Sequence, residues 1–112
     1  MPRQVEVASL LIDIEAELRR LDLWQAESPS ARALASIEPF CIDTLTFPQW
    51  LQFVFLRRMT VLLEQAQVLP DRCSIAPMAD EFFKRLLWPQ AKPLVAAIEA
   101  LDCLLSGQGG GD

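Results

Sequence analysis

The feature that most constrains this chain is a long apolar stretch at residues 46–67, TFPQWLQFVFLRRMTVLLEQAQ. Thr46 can begin a helix because its hydroxyl accepts from a free backbone N–H of the first turn, and Gln49 completes the spacing of a capping box. Pro48 fits within that first turn, whereas Pro70 prevents the helix from continuing. The stretch therefore predicts one central helix of about 20 residues, roughly 30 Å long.

This helix has two apolar sectors when its residues are placed at intervals of about 100°. The wide sector contains Leu51, Phe55, Leu56, Met59, Leu62, Leu63 and Ala66. The narrow stripe contains Trp50, Val54 and Val61, and it is flanked by Arg57 and Arg58. Either the rest of the chain packs on both sides of the helix, or the narrow stripe binds a partner. The second interpretation rests on the enrichment of Trp and Arg in interface hot spots.

Two polar residues are candidates for structural roles. Gln52 lies in the middle of the wide sector, where a buried amide needs hydrogen-bond partners, so it either ties down a neighbouring loop or faces a water-filled gap. Asp43 and the adjacent Thr44 are suited to hydrogen-bonding their own backbone in a turn.

Three further helices are predicted from apolar residues that recur at steps of three and four, at residues 4–21, 78–88 and 90–106. A shorter helix is predicted at residues 28–36, with Ser28 as its N-cap and Pro29 at its first position. The predicted core stripes are Val7, Leu10, Leu11, Ile14, Leu18 and Leu21 in the first helix and Leu94, Ile98, Leu101 and Leu105 in the last.

An irregular connection at residues 40–45 is expected to carry Phe40, Ile42 and Leu45 into the core. The chain as a whole is predicted to be all-α, with one four-helix, bundle-like domain at residues 1–106 and an additional short helix. The glycine-rich tail at residues 107–112 is predicted to be disordered.

Composition favours a cytoplasmic protein with no membrane span. Hydrophobic residues make up 52% of the chain, but charges interrupt them before any run reaches the roughly 18 apolar residues that a span requires. The first 20 residues place acids among their apolar residues, unlike a secretory signal. The formal net charge is −5, which is unfavourable for a protein that binds nucleic acid through its phosphates.

The residues that usually carry catalysis or bind metals are scarce. The chain has no histidine, and its three cysteines, Cys41, Cys73 and Cys103, form no CxxC pair. They are interpreted as small core residues in a reducing compartment, and the acidic residues as solvated helix faces. We therefore expect no catalytic residues, no metal and no cofactor.

Two segments, residues 39–65 and IAPMADEFF at residues 75–83, resemble the YqcC-like family of small bacterial proteins. The resemblance covers about residues 5–106. Its most specific pieces are Asp43-Thr44, Phe47 with Trp50-Leu51-Gln52, Arg58-Met59 and Ala76-Pro77-Met78. A proline often stands in that family where this chain has Arg57, and this departure is expected to remove a helix irregularity.

The resemblance implies an all-α bundle, and it implies an association with tRNA pseudouridine synthase C. Together with the second apolar stripe, it suggests a non-catalytic accessory protein that contacts such a synthase or its tRNA complex. The candidate partner-binding residues are Trp50, Val54, Arg57, Arg58, Val61 and Met78.

Two other functions remain open. The narrow stripe could form a two-fold dimer interface of a self-associating structural protein. Direct tRNA contact is the third possibility, through a cluster of cations at Arg57, Arg58, Arg72, Lys84 and Arg85.

Overall fold

The computed structural model describes residues 3–70 and 73–106, and this part of the protein is all-α. The helices are α1 Arg3–Arg20, α2 Ala31–Leu34, α3 Phe47–Trp50, α4 Arg57–Glu64, α5 Ala76–Arg85 and α6 Lys92–Leu105. A 3₁₀ turn lies at Pro39–Cys41, and a π-helical turn at Leu51–Leu56 joins α3 to α4. The prediction of an all-α, bundle-like fold with one extra short helix is confirmed. The predicted tail, residues 107–112, lies outside the described residues.

Helix α1 packs mainly along α6, and the two helices run antiparallel. Near the start of α1, the guanidinium of Arg3 donates to the carbonyls of Leu104 and Leu105 at the end of α6. Near the end of α1, Arg20 Nη2 donates to the carbonyl of Gln90 at 2.6 Å. Both ends of α1 are therefore hydrogen-bonded to the α6 side of the bundle.

The core is built from the apolar stripes that the sequence predicts. On α1 the buried residues are Val7, Leu11, Ile14 and Leu18. On α6 they are Leu94, Val95, Ile98, Leu101 and Leu105. These two stripes meet the central segment, residues 47–64, and α5, whose Phe83 is fully buried.

The central segment begins as predicted. The hydroxyl of Thr46 accepts from the Gln49 N–H at 3.3 Å, while Gln49 Oε1 accepts from the Thr46 N–H at 2.9 Å, which completes the capping box. It ends at Glu64, before the predicted Gln67, because Ala66 adopts a φ of 52°. The Gln67 N–H then donates to the Leu62 carbonyl at 2.9 Å and closes the last turn.

The interior of this segment differs from a regular α-helix. In the π-helical turn, Leu51, Gln52, Phe53, Phe55 and Leu56 are all buried. The i→i+5 bonding adds a residue to the turn, so the residues before and after it do not share one regular helical wheel. The presence of Arg57, where the family often has a proline, was expected to remove a helix irregularity. That expectation is wrong, because a π-helical turn ends directly before Arg57.

Several predicted boundaries are corrected by local geometry. The N-cap of α2 is Ser30, whose hydroxyl accepts from the Ala33 N–H at 3.1 Å, and not Ser28. Helix α5 begins at Ala76, with Pro77 in its first turn, and it ends at Arg85. The predicted bounds, Met78 to Trp88, are therefore wrong at both ends. The helix stops early because Leu86 is extended and Leu87 has a φ of 63°.

Three residues predicted to be in the core are exposed, namely Ala66, Ile42 and Cys103. Ala66 lies in the turn beyond α4 and faces solvent. Ile42 is 60% exposed, because the 3₁₀ turn at Pro39–Cys41 directs Cys41 inward instead. Within the two described ranges, every helix is too short or too polar to cross a lipid bilayer.

Candidate partner-binding groove

An open apolar groove runs between α1 and α4. It consists of two adjoining cavities of about 340 and 220 Å3. The first is lined by Glu15, Trp24, Gln52, Leu56, Arg57, Thr60 and Val61. The second is lined by Ala8, Leu11, Ile12, Glu15, Leu56, Thr60, Leu63 and Glu64. Because the cavities share Glu15, Leu56 and Thr60, they form one continuous surface, which we call the α1–α4 groove.

The walls of the α1–α4 groove carry apolar side chains that the fold leaves in solvent. Ile12 on α1 is 68% exposed and Val61 on α4 is 45% exposed. Leu56 lies between them and is buried. Helix α1 packs mainly on α6 and makes only limited contact with α4. The groove between α1 and α4 therefore stays open.

The two ends of the groove carry opposite charges. Arg57 lines the cavity that Gln52 and Trp24 also line, and its guanidinium lies toward the Gln52 end of the groove, 5.2 Å from the centre of the Phe53 ring. Glu64 lies at the other end, beside Ala8. Between them, Glu15 accepts from Arg19 Nε at 2.9 Å in a largely exposed pair, which contributes little to stability.

Gln52 joins the floor of the groove to the loop that follows α1. Its side chain is 6% exposed. Oε1 accepts from the Gln25 N–H at 2.9 Å, and Nε2 donates to the Gln25 carbonyl at 2.7 Å. Of the two arrangements that the sequence allowed for Gln52, the structure has the first, in which its amide ties down a loop.

This loop carries Trp24 to one end of the groove. Arg19 lies over the Trp24 ring at 4.6 Å from its centre, and the Gln52–Gln25 pair holds the next residue. The π-helical turn is therefore part of the groove, because it supplies both Gln52 and Leu56. Short π-helical turns are frequent at functional sites.

Gln52→Leu keeps the size of the side chain and removes both hydrogen bonds to Gln25. We expect it to lower the free energy of unfolding by about 1–2 kcal/mol, and to shift the NMR signal of the Trp24 indole N–H. Urea unfolding measures the first effect. Gln4→Leu, the same change at an exposed position of α1, is the control. Equal midpoints for the two variants would contradict a role for Gln52 in holding the loop.

The structure distributes the six candidate partner-binding residues over several environments. Arg57 and Val61 line the α1–α4 groove. Arg58, the residue after Arg57, is exposed but lines neither cavity. Val54 is half-buried. Met78 lines a separate hollow of about 250 Å3 on α5, together with Phe82 and Leu86.

Trp50 is engaged within the protein. Its ring centre lies 4.8 Å from that of Phe40, 6.1 Å from Phe47 and 5.6 Å from Phe55. The indole therefore belongs to an aromatic cluster that joins the 3₁₀ turn to the central segment. Binding of a partner by these residues remains a prediction.

Asp43 and Thr44 connect neighbouring loops. Asp43 Oδ1 accepts from the hydroxyl of Ser36, and Thr44 Oγ1 donates to the Ala33 carbonyl at 2.7 Å. Both contacts join the 40–45 connection to α2 and the residues after it.

A polar cluster that the sequence analysis missed lies where α5 begins. Asp102 on α6 accepts through Oδ2 from the N–H of Ile75 at 2.8 Å and of Ala76 at 2.7 Å. The negative carboxylate thus caps the positive end of α5 from a different helix. The signal in the sequence is the position of Asp102 in the last turn of α6, where an acid opposes its own helix dipole and so needs another partner.

The same carboxylate affects Cys73. Burial, reinforced by the nearby charge of Asp102, raises the pKa of the Cys73 thiol well above its ordinary value. The thiol therefore stays protonated at neutral pH and is a poor nucleophile.

Comparison with known proteins places this chain in a family. The family described as tRNA pseudouridine synthase C (DUF446) matches residues 6–104. An uncharacterized protein of Haemophilus influenzae is 41% identical over 91 residues, which cover 80% of this chain and 86% of that protein. The uncharacterized protein YqcC of Escherichia coli is 33% identical over 96 residues, which cover 83% of this chain and 84% of YqcC. The chain belongs to the YqcC-like family.

The YqcC-like fold is confirmed by a solved structure. The solution NMR structure of YqcC from Escherichia coli has a TM-score of 0.82 to this protein at 31% identity. The alignment covers 96% of this chain and 92% of that structure.

A further relative is much longer than this chain. The tRNA pseudouridine synthase C of Pectobacterium carotovorum is 44% identical over 70 residues, which cover 62% of this chain but only 19% of that protein. A YqcC-like segment and additional sequence therefore occur there in one polypeptide.

Proposed function

We propose that this protein is a non-catalytic accessory protein that binds a tRNA pseudouridine synthase and assists it in tRNA modification. The observation that carries the proposal is the Pectobacterium carotovorum protein named tRNA pseudouridine synthase C, in which the similar segment is 19% of the polypeptide. Most of that polypeptide lies outside the segment. We infer that the pseudouridine synthase activity belongs to that remainder.

Occurrence in one polypeptide supports an interaction between the separate proteins. Two modules joined by a chain meet at a high effective concentration, so even a weak contact between them is occupied. A YqcC-like protein that is not covalently joined to the synthase would need a surface that binds it without that link. The exposed apolar walls of the α1–α4 groove are suited to such a contact.

Charge favours the enzyme over its RNA as the direct partner. The net charge is −5, which opposes binding to tRNA phosphates and favours a partner with a basic surface. The absence of histidine from the sequence and the protonated Cys73 thiol support a non-catalytic role.

A pull-down of the tagged protein from its source organism, with and without RNase and read by mass spectrometry, tests the proposal. We expect a pseudouridine synthase in both samples, and a higher rate of tRNA pseudouridylation when purified protein is added to purified synthase. Recovery only without RNase would indicate direct RNA binding instead. Recovery of the bait alone would contradict the proposal, and a concentration-dependent mass by light scattering would then support self-association.

A further inference from the structure

The geometry points to a specific occupant of the α1–α4 groove: one amphipathic helix of the tRNA pseudouridine synthase, lying parallel to α1 and antiparallel to α4. This inference rests on the proposed function and adds the binding mode and the direction of the bound helix. Three properties of the groove carry it, namely its length, its exposed apolar walls and the opposite charges at its ends.

The length of the groove matches a short helix. Its lining along the central segment extends from Gln52 to Glu64, which is roughly 18 Å at about 1.5 Å per residue. A helix of about three turns has this length and presents apolar side chains at positions i, i+3 or i+4, and i+7 to a groove. The two cavities supply separate recesses for such side chains.

The walls of the groove provide apolar contacts on both sides of the bound helix. Ile12 and Val61 stand on opposite walls, and both are exposed in the structure. Leu56 forms the floor between them. An extended RNA strand would find few cations here, since Arg57 is the one cation among the lining residues of the two cavities.

The charges at the two ends select a direction. Glu64 favours the positive N-terminal end of a bound helix, and Arg57 favours its negative C-terminal end. Since α1 and α4 run antiparallel along the groove, this direction is parallel to α1. A bound helix with basic residues in its first turn and acidic residues in its last would add to both attractions.

Substitutions on the walls test the site. Ile12→Asp and Val61→Asp place a charge against the apolar face of the bound helix. We expect each to weaken binding to the purified synthase by at least about tenfold in an isothermal titration. Both side chains are exposed, so the fold should be retained; Ile12→Ser and Val61→Ser repeat the test without a charge. The matched control is Ile37→Asp, at a position that is 94% exposed and outside the groove.

Photo-crosslinking tests the binding mode in the same complex. A photoreactive residue at position 12 or 61 should attach to one helix of the synthase. Crosslinks from position 64 should lie toward the N-terminus of that helix, and crosslinks from position 57 toward its C-terminus. Crosslinks in the reverse order, to several unrelated segments, or to a second copy of this chain would overturn the inference.

The outcomes separate this inference from the proposed function. If Ile12→Asp and Val61→Asp bind the synthase as well as the wild-type protein does, the α1–α4 groove is not the site, while the accessory function stands. If Ile37→Asp weakens binding as much as the wall variants, the effect does not belong to the groove and the inference fails. If wild-type protein does not bind the synthase at all, both proposals fail.

Discussion

Replacing Phe83 by alanine is expected to lower the free energy of unfolding by about 3–5 kcal/mol. Phe83 on α5 is fully buried, and its ring meets Phe82 at 5.0 Å and Phe47 at 6.0 Å, in both cases edge to face. The truncation removes these contacts and leaves a cavity where α5 faces the central segment. Because small domains are stable by only about 5–15 kcal/mol, the variant would lose a large part of its stability.

Urea unfolding followed by circular dichroism measures this loss. Phe83→Leu, which retains most of the apolar contact, should lose less than half as much. Ile37→Ala at an exposed position should lose almost nothing. A loss below about 1 kcal/mol for Phe83→Ala, at an unchanged dependence on urea, would mean that the surrounding helices collapse onto the cavity.

Replacing Asp102 by alanine is expected to lower the free energy of unfolding by about 2–4 kcal/mol. The variant leaves the N–H groups of Ile75 and Ala76 without their acceptor. Helix α5 has no side-chain cap of its own that could replace the Asp102 carboxylate, because its N-cap residue, Ile75, has no hydrogen-bond acceptor in its side chain. The loss should be concentrated at the beginning of α5.

Hydrogen exchange locates this effect. The amides of Ile75 and Ala76 should exchange much faster in Asp102→Ala, whereas amides in the middle of α1 should follow only the change in global stability. Asp102→Asn retains an oxygen acceptor and should lose less. The control is Glu99→Ala, which removes an exposed acid from the same helix. An Asp102→Ala variant no less stable than Glu99→Ala would show that the cap has no energetic role.

The candidate site shows where sequence reasoning stops. Helical periodicity singled out Val61, which belongs to the narrow apolar stripe of the central helix, and Arg57, which flanks that stripe. It missed Ile12 and Trp24 as parts of the same surface, since they lie more than 30 residues earlier in the chain. Periodicity shows which face of a helix is apolar, but it does not show which helices become neighbours.

The π-helical turn limits the same reasoning in another way. A helical wheel assumes a constant angle per residue, and the turn at Leu51–Leu56 breaks that assumption within the segment on which the prediction depended most. Trp50 lies just before the turn, and the structure engages it with Phe40, Phe47 and Phe55. A wheel drawn across the turn assigned it to an outer stripe with Val61.

Local interactions were determined by the sequence itself. The capping box of Thr46 and Gln49, the apolar stripes of α1 and α6, and the all-α architecture follow from contacts between residues within about four positions of each other. Only the tertiary structure decided the partner of Gln52, the cap that Asp102 provides for α5, and the open groove between α1 and α4. Each of these joins residues that are distant in the chain, and their meeting depends on how whole helices pack.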